Sequence, residues 1–504
     1  MRNAWTIAGP SGRFAESGAG RPERRLPGLG ETAAFGASLA LNWYAAAEWP
    51  GPLFSVTSLL LFGWLLALVM RVSASGFILL LPLVITRGAT MVSLGVIEVG
   101  AYMPEINRIG AAGDASASFV TVTALFFLAS ALVFRRLEPV FLRHARSPLL
   151  DDVVALLGWP VVLAAAGAGA LAALHGFQAG FPLLEGVDRF LYRREQSSGL
   201  VLALLDNKFI VATLLGAVAF APRHAPLLKL AAKLVFLALT ALYFLFADKF
   251  FTILAEAAFF AMPFLLLHRE RLGRTLVRAT PLVAALLCGT MAATVYIYSD
   301  YGRLPLGRTV TLVGERVAGQ GQLWFIATRD ARRVSHWDAR LVDRYTRGLD
   351  DRQPAVSAFV DGVETFYFVQ RYAPTKLARN FRESGGWVQL VMGTEAMALV
   401  MFGYLGVAAV MLVLALMLAL AALFLRRAFA SGFPLSVAGA TWIYLQVYFS
   451  AQQASLWSVA APGQLNRFLL LATLELILFA ANRAQARAAG ARRAVAWRGV
   501  PSAA

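Results

Sequence analysis

Residues 53–70 read LFSVTSLLLFGWLLALVM and residues 409–425 read AVMLVLALMLALAALFL. Neither run holds an ionisable side chain, and at about 1.5 Å per residue each nearly spans the ~30 Å hydrocarbon layer of a bilayer as one helix. Similar runs recur from end to end. With 59% hydrophobic and 15% charged residues, the chain reads as an all-α polytopic membrane protein, which excludes an ordinary soluble enzyme. The pattern predicts about twelve helices, near 32–48, 53–70, 76–97, 116–134, 152–175, 199–221, 227–247, 250–268, 281–299, 403–425, 433–450 and 464–482. It divides the chain into a tail (1–31), nine helices (32–299), a long polar segment (300–386), three helices (387–482) and a basic tail (483–504).

A net charge of +17 would point to nucleic acid in a soluble chain, but here it concentrates in short loops. Arg135, Arg136, Arg143 and Arg146 share one loop, Arg269, Arg271, Arg274 and Arg278 another, and Arg426 with Arg427 a third. In a twelve-helix count all three face one side, which the positive-inside rule makes cytoplasmic. Both basic tails join them there, and no nucleic-acid partner is expected. The N-terminal stretch lacks the apolar core of a cleavable signal. The segment 300–386 then lies outside, where a loop longer than about 60 residues translocates regardless of its arginines. The single cysteine, Cys288, lies in an apolar run, so neither a disulfide framework nor a cysteine metal site is available.

Arg87, Glu98, Asp206, Lys208, Asp248, Lys249, Glu256, Arg467 and Glu475 lie in or against apolar runs. A charge in hydrocarbon costs about 2.5–3.5 kcal/mol even on insertion scales, so these residues either line a polar cavity open to the outside or pair with one another. The predicted external side adds two polar stretches. HGFQAGFPLLEGVDRFLYRRE (175–195) breaks at Pro182, and a helix resuming at Val187 would put Arg189 and Arg193 on one face near Tyr192. Those arginines suit a bound phosphate, or equally anionic lipid headgroups. GERVAGQGQLWFIATRD (314–330) offers Gln320 and Gln322 amides for sugar hydroxyls and the Trp324 ring for a pyranose face, or is simply a flexible loop. It lacks the Gly-Lys-Ser/Thr ending of a P-loop, and no DxD pair occurs in the external loops. No metal or other cofactor, and no sugar-nucleotide donor, is expected.

GFPLLEGVDRFLYRRE (180–195), then LFADKFFTILAEAAFFAMPFLL (245–266), then a large external loop with GERVAGQGQLWF (314–325) resemble bacterial O-antigen or oligosaccharide repeat-unit polymerases of the Wzy type. The resemblance runs from about the third helix to the last, on short motifs. It implies an inner-membrane protein with a large periplasmic loop, similar in architecture to O-antigen ligases and GT-C glycosyltransferases. Such proteins join undecaprenyl-diphosphate-linked units, with membrane lipids and a chain-length regulator as partners. The leaving diphosphate needs cations, for which Arg189, Arg193, Arg316 and Arg87 are the candidates, followed by Lys208, Lys249 and Arg467. Gln320, Gln322, Trp324 and Tyr192 are the glycan-binding candidates. A general base for the attacking hydroxyl is sought in Asp330, Glu395 or His336. Asp330 would share a helix beginning after Gly321, whereas Glu395 also fits a helix-packing role and His336, in ARRVSHWDAR (331–340), an exposed helix. The rival readings are a ligase, which shares the donor, and a lipid-linked oligosaccharide flippase. Against the flippase, the sequence shows no repeat of one half in the other, and its longest loop falls outside after the ninth helix, whereas a six-plus-six transporter carries its long linker after the sixth, on the cytoplasmic side.

Overall fold

The computed structural model describes residues 27–103, 105–143, 145, 148–185, 187, 192–193, 195–247 and 250–281, parts of 282–392 (chiefly 317–331, 338–347 and 365–375), then 393–453, 466–481 and 483–484. Helices α1 (Leu29–Glu48), α2 (Pro52–Val72) and α3 (Ala74–Glu98) are joined by tight turns. Pro52 opens α2 at a position whose N–H would be unbonded in any residue, and Ser73 ends α2 while its Oγ accepts from Gly76 N–H at 3.0 Å to cap α3. A two-stranded hairpin, β1 (Tyr102–Met103) against β2 (Arg108–Ile109), leads to α4 (Ala115–Phe141). Helices α5 (Pro148–Ala179), α6 (Pro182–Glu185), α7 (Gly199–Asp206), α8 (Lys208–Phe220), α9 (Pro226–Leu245) and α10 (Phe250–Leu267) follow. Within the polar segment lie α11 (Gln322–Ala331), α12 (Ala339–Arg347) and α13 (Thr365–Tyr372), and α14 (Thr394–Ser431) and α15 (Pro434–Gln453) return to the apolar bundle.

Among the described residues six helices are long and apolar enough to cross a membrane, and up to eight if each of two bent pairs forms one span. The fold is that of a helical, multi-pass membrane protein. Leu60, Leu163, Leu234, Leu412 and Leu476 are exposed, as lipid-facing side chains are. Helix α5 buries only 17% of its apolar window inside the protein, which makes it peripheral. The sequence count of twelve was higher for identifiable reasons. α1 is alanine-rich, α15 carries Gln446, Gln452 and Gln453, and most of 281–299 lies outside the described residues. Residues 464–482 appear as a helix over 466–481. The expected helix 199–221 is two helices bent by 63° at Asn207. The expected 403–425 is the second part of α14, which begins nine residues earlier and breaks at Gly403.

The three arginine loops converge on one end. Glu138, near the end of α4, pairs with Arg269 at 3.5 Å and with Arg426 at 3.0 Å. Arg427 pairs with Glu475 at 2.9 Å and donates to the Phe141 and Arg143 carbonyls at 2.8 and 3.1 Å. Arg71 meets Glu31 at 2.5 Å, and Arg223 donates to Ser431 O at 3.2 Å. The ends of α2, α4, α10 and α14 and the starts of α1 and α3 therefore lie together, as the loop charges required. The start of α4, the end of α3 and the polar helix α11 occupy the opposite, distal end.

Candidate functional site

The distal end is built on α11, whose residues Gln322–Thr328 are all buried. Seven consecutive buried positions cannot share one helix face, so α11 is enclosed on every side by α3, α4 and α14. Ser93 of α3 secures its entry by donating to Ala318 O at 2.8 Å and accepting from Gly321 N–H at 2.7 Å. The Trp324 indole N–H donates to Ala115 O at 2.8 Å, and its ring meets the edge of Phe119. Gln322 donates to Glu105 of the hairpin loop.

Where α11 emerges, Asp330 carries a carboxylate that is 37% exposed. It accepts from the Tyr372 hydroxyl and lies 3.8 Å from Arg371 Nε, both on α13. The guanidinium groups of Arg371 and of Arg108, on β2, each stand 5.6 Å from the centre of the Tyr372 ring. Arg371 also lies 5.7 Å from the Tyr367 ring. Burial pushes the Tyr367 phenol up, opposed by Arg371 and reinforced by Asp330 and Asp338, so it stays a neutral hydroxyl at physiological pH. Arg329 borders an adjoining pocket of about 80 Å³, lined also by Ala111–Ala115, Phe325 and Thr328. One accessible carboxylate among three arginines and two tyrosines can bind an anionic or polyhydroxyl ligand while accepting a proton.

Beneath this cluster the membrane-embedded charges are paired. Arg87 (α3) and Glu395 (α14) form a buried ion pair, and Arg87 Nη2 donates to Ala451 O at 3.1 Å. The Arg87 guanidinium lies 5.7 Å from the centre of the Phe119 ring, which in turn meets Trp324. Lys208 and Glu256 stand 3.5 Å apart, both buried. Glu98, also buried, accepts from Ser55 Oγ at 2.5 Å and Ser116 N–H at 3.0 Å. Among the described residues, ion pairing accounts for Arg87, Glu395, Lys208 and Glu256, and hydrogen bonds account for Glu98. Asp206 is exposed, and Glu475 lies at the arginine end.

Of the expected base candidates among the described residues, Asp330 is the accessible one. Glu395 is engaged by Arg87, and His336 lies outside the described residues. Among the diphosphate candidates, Arg87 and Lys208 are buried in ion pairs, Arg193 is half-buried, and Arg467 stands exposed with its guanidinium 5.2 Å from the centre of the Trp442 ring. Arg189, Arg316 and Lys249 lie outside the described residues. The glycan surface expected of GQGQLW is corrected. Trp324 and Gln322 are enclosed because an indole N–H and an amide with internal partners are stable in the core, while Gly319 and Gln320 are partly accessible. Tyr192 is buried beside Phe246 and presents no face to a ligand.

Sequence reading missed Arg108, Tyr367, Arg371 and Tyr372. In TFYFVQRY, Tyr367 precedes Arg371 and Phe368 precedes Tyr372 by four residues, a helical spacing that would have paired them. Nothing local announced Arg108, which a two-residue strand brings in. Among the described residues no three His, Cys, Asp or Glu side chains are grouped to hold a metal ion.

Fold and cluster together define a multi-pass helical membrane protein with a charged, tyrosine-lined site at the end opposite its arginine loops. A family model described as a family of unknown function (DUF6418) matches residues 362–466, the stretch from α13 through α15. That stretch contributes Arg371, Tyr372 and Glu395. No curated protein and no solved structure matches the chain.

Proposed function

We propose that this protein is a repeat-unit polymerase of the Wzy type, with twelve crossings, a GT-C-like architecture and its site on the periplasmic side of a bacterial inner membrane. The observation that carries the reading is Asp330, an accessible carboxylate held by Tyr372 and Arg371 with Arg108 beside it, at the end opposite the basic loops. The acceptor sugar hydroxyl gives its proton to Asp330 as its oxygen bonds to the anomeric carbon of the donor unit. The bond from that carbon to the carrier diphosphate breaks, and the diphosphate leaves with the electron pair. Arginines stabilise its growing charge, Arg371 and Arg108 at the cluster, with Arg189, Arg193 and Arg316 of the stretches 175–195 and 314–330 as the further cations of this scheme. No metal is required in this scheme, because guanidinium groups supply the positive charge. Lipid-linked oligosaccharide is both donor and acceptor.

The test is deletion of the gene followed by gel analysis of the cell's lipopolysaccharide. A polymerase leaves a single repeat unit capping the core and no ladder. Loss of the capped unit as well, with lipid-linked polymer accumulating, replaces this reading with a ligase. Complementation with Asp330→Asn, which keeps the hydrogen-bond acceptor but not the base, is expected to cut ladder formation about a hundredfold or more at normal protein level. A full ladder from Asp330→Asn removes Asp330 as the base.

A further inference from the structure

The first nine residues of α14 are not a simple extension of a membrane helix. Gly403 has φ 69° and ψ −169°, a region open essentially to glycine alone, and there the helix breaks. Residues 394–401 are all buried, so this short helix is enclosed on every side. Its start is tied to α15 and α3: the Thr394 hydroxyl donates to Ser450 O, and Glu395 pairs with Arg87. Its far end meets the polar segment and α1. The Asp338 N–H donates to Met401 O at 3.0 Å, while Asp338 Oδ1 caps α12 by accepting from Leu341 N–H at 3.0 Å. The Tyr404 and Trp43 rings lie 4.9 Å apart just beyond the break. Nine residues at about 1.5 Å each make a short helix, the crossbar, roughly 13 Å long at the distal end of the bundle. The break exposes carbonyls that a continuous helix would satisfy, and the polar segment takes one of them through Asp338.

We propose that this crossbar is a latch. The Asp338 N–H holds it seated with Glu395 on Arg87, the Asp338 carboxylate fixing that N–H in place by capping α12, and release of Asp338 lets Glu395 withdraw, freeing the Arg87 guanidinium for a diphosphate oxygen. Only this last step rests on the proposed diphosphate donor. The latch accounts for an arginine that is buried and paired at rest, since an incoming anion replaces the carboxylate and leaves no buried charge alone.

The test uses full-length purified protein carrying Cys288→Ser with Thr394→Cys and Ser450→Cys, so that disulfide yield reports the seated crossbar. High yield is expected in this parent and with Asp338→Asn, which keeps the capping oxygen. A severalfold drop is expected with Asp338→Ala and with Gly403→Ala, where alanine cannot hold the break. Inorganic pyrophosphate is expected to lower the parent's yield in the same direction. Equal yields in the parent, Asp338→Ala and Gly403→Ala overturn the latch. If Gly403→Ala is not recovered folded, the Asp338 pair decides alone. Latch variants that behave as expected, with no response to pyrophosphate, overturn the anion step. No readout requires polymerisation, so failure of the polymerase reading on lipopolysaccharide gels leaves the latch standing, and the reverse holds too.

Discussion

His224, in the turn between α8 and α9, is buried with its imidazole against Gly158 of α5, where any larger side chain would meet the ring. Burial pushes it down to about 4 from 6.5, with Arg223 and Lys229 adding to the effect. The folded protein thus keeps His224 neutral until pH falls to about 4, whereas the unfolded chain takes up its proton from about 6.5 downward. Between those values the unfolded state binds more protons, so stability rises with pH across this window and levels off above it. Melting temperatures in detergent from pH 4.5 to 7.5 are expected to show that rise, and His224→Gln to flatten it. A wild-type curve already flat below pH 6.5 contradicts the account. The same scale explains what composition could and could not say of the site. Asp330 was legible because Gly321 marks a helix start and the carboxylate falls on that helix. The burial of Trp324 was not, because a tryptophan in a polar loop serves equally to stack on a sugar or to plug a bundle. Its partner, Ala115 O, is 209 residues away in the chain.

Between elements, α8 and α10 are tied by Lys208 and Glu256 and by an aromatic layer in which Phe209 meets Phe259, and Phe259 meets Tyr444 and Tyr448 of α15. Removing one partner of a buried ion pair costs about 3–5 kcal/mol, whereas replacing both with apolar residues of similar volume is often neutral. Lys208→Met and Glu256→Leu are each expected to lower the melting temperature sharply, and the double variant to recover most of the loss. An additive double variant would show that the two charges act independently. Helices with long apolar runs were legible from hydropathy alone. The bends at Asn207 and Gly403 were not, because hydropathy averages over a window and a break changes one residue's dihedrals without changing its polarity. Thr394 and Glu395 even lowered the apparent apolarity of α14 and delayed its expected start.

At the scale of the molecule, the meeting of Arg269, Arg426 and Arg427 with Glu138 and Glu475 at one end makes orientation testable. A reporter fused after Gly348 is expected to read as periplasmic and one after Arg274 as cytoplasmic, and the opposite pair of results would invert the topology and remove the external site. The convergence was foreseeable because charge asymmetry acts on whole loops, needing no knowledge of packing. Glu138 carries one more implication, which concerns the order of synthesis. Its partners Arg269 and Arg426 lie 131 and 288 residues further along the chain. At ~5–20 residues per second, α14 leaves the ribosome roughly 15–60 s after α4. Throughout that interval the nascent bundle carries a carboxylate whose second guanidinium does not yet exist. The amino-terminal helices are therefore an unfinished body, closed only when the carboxy-terminal ones arrive.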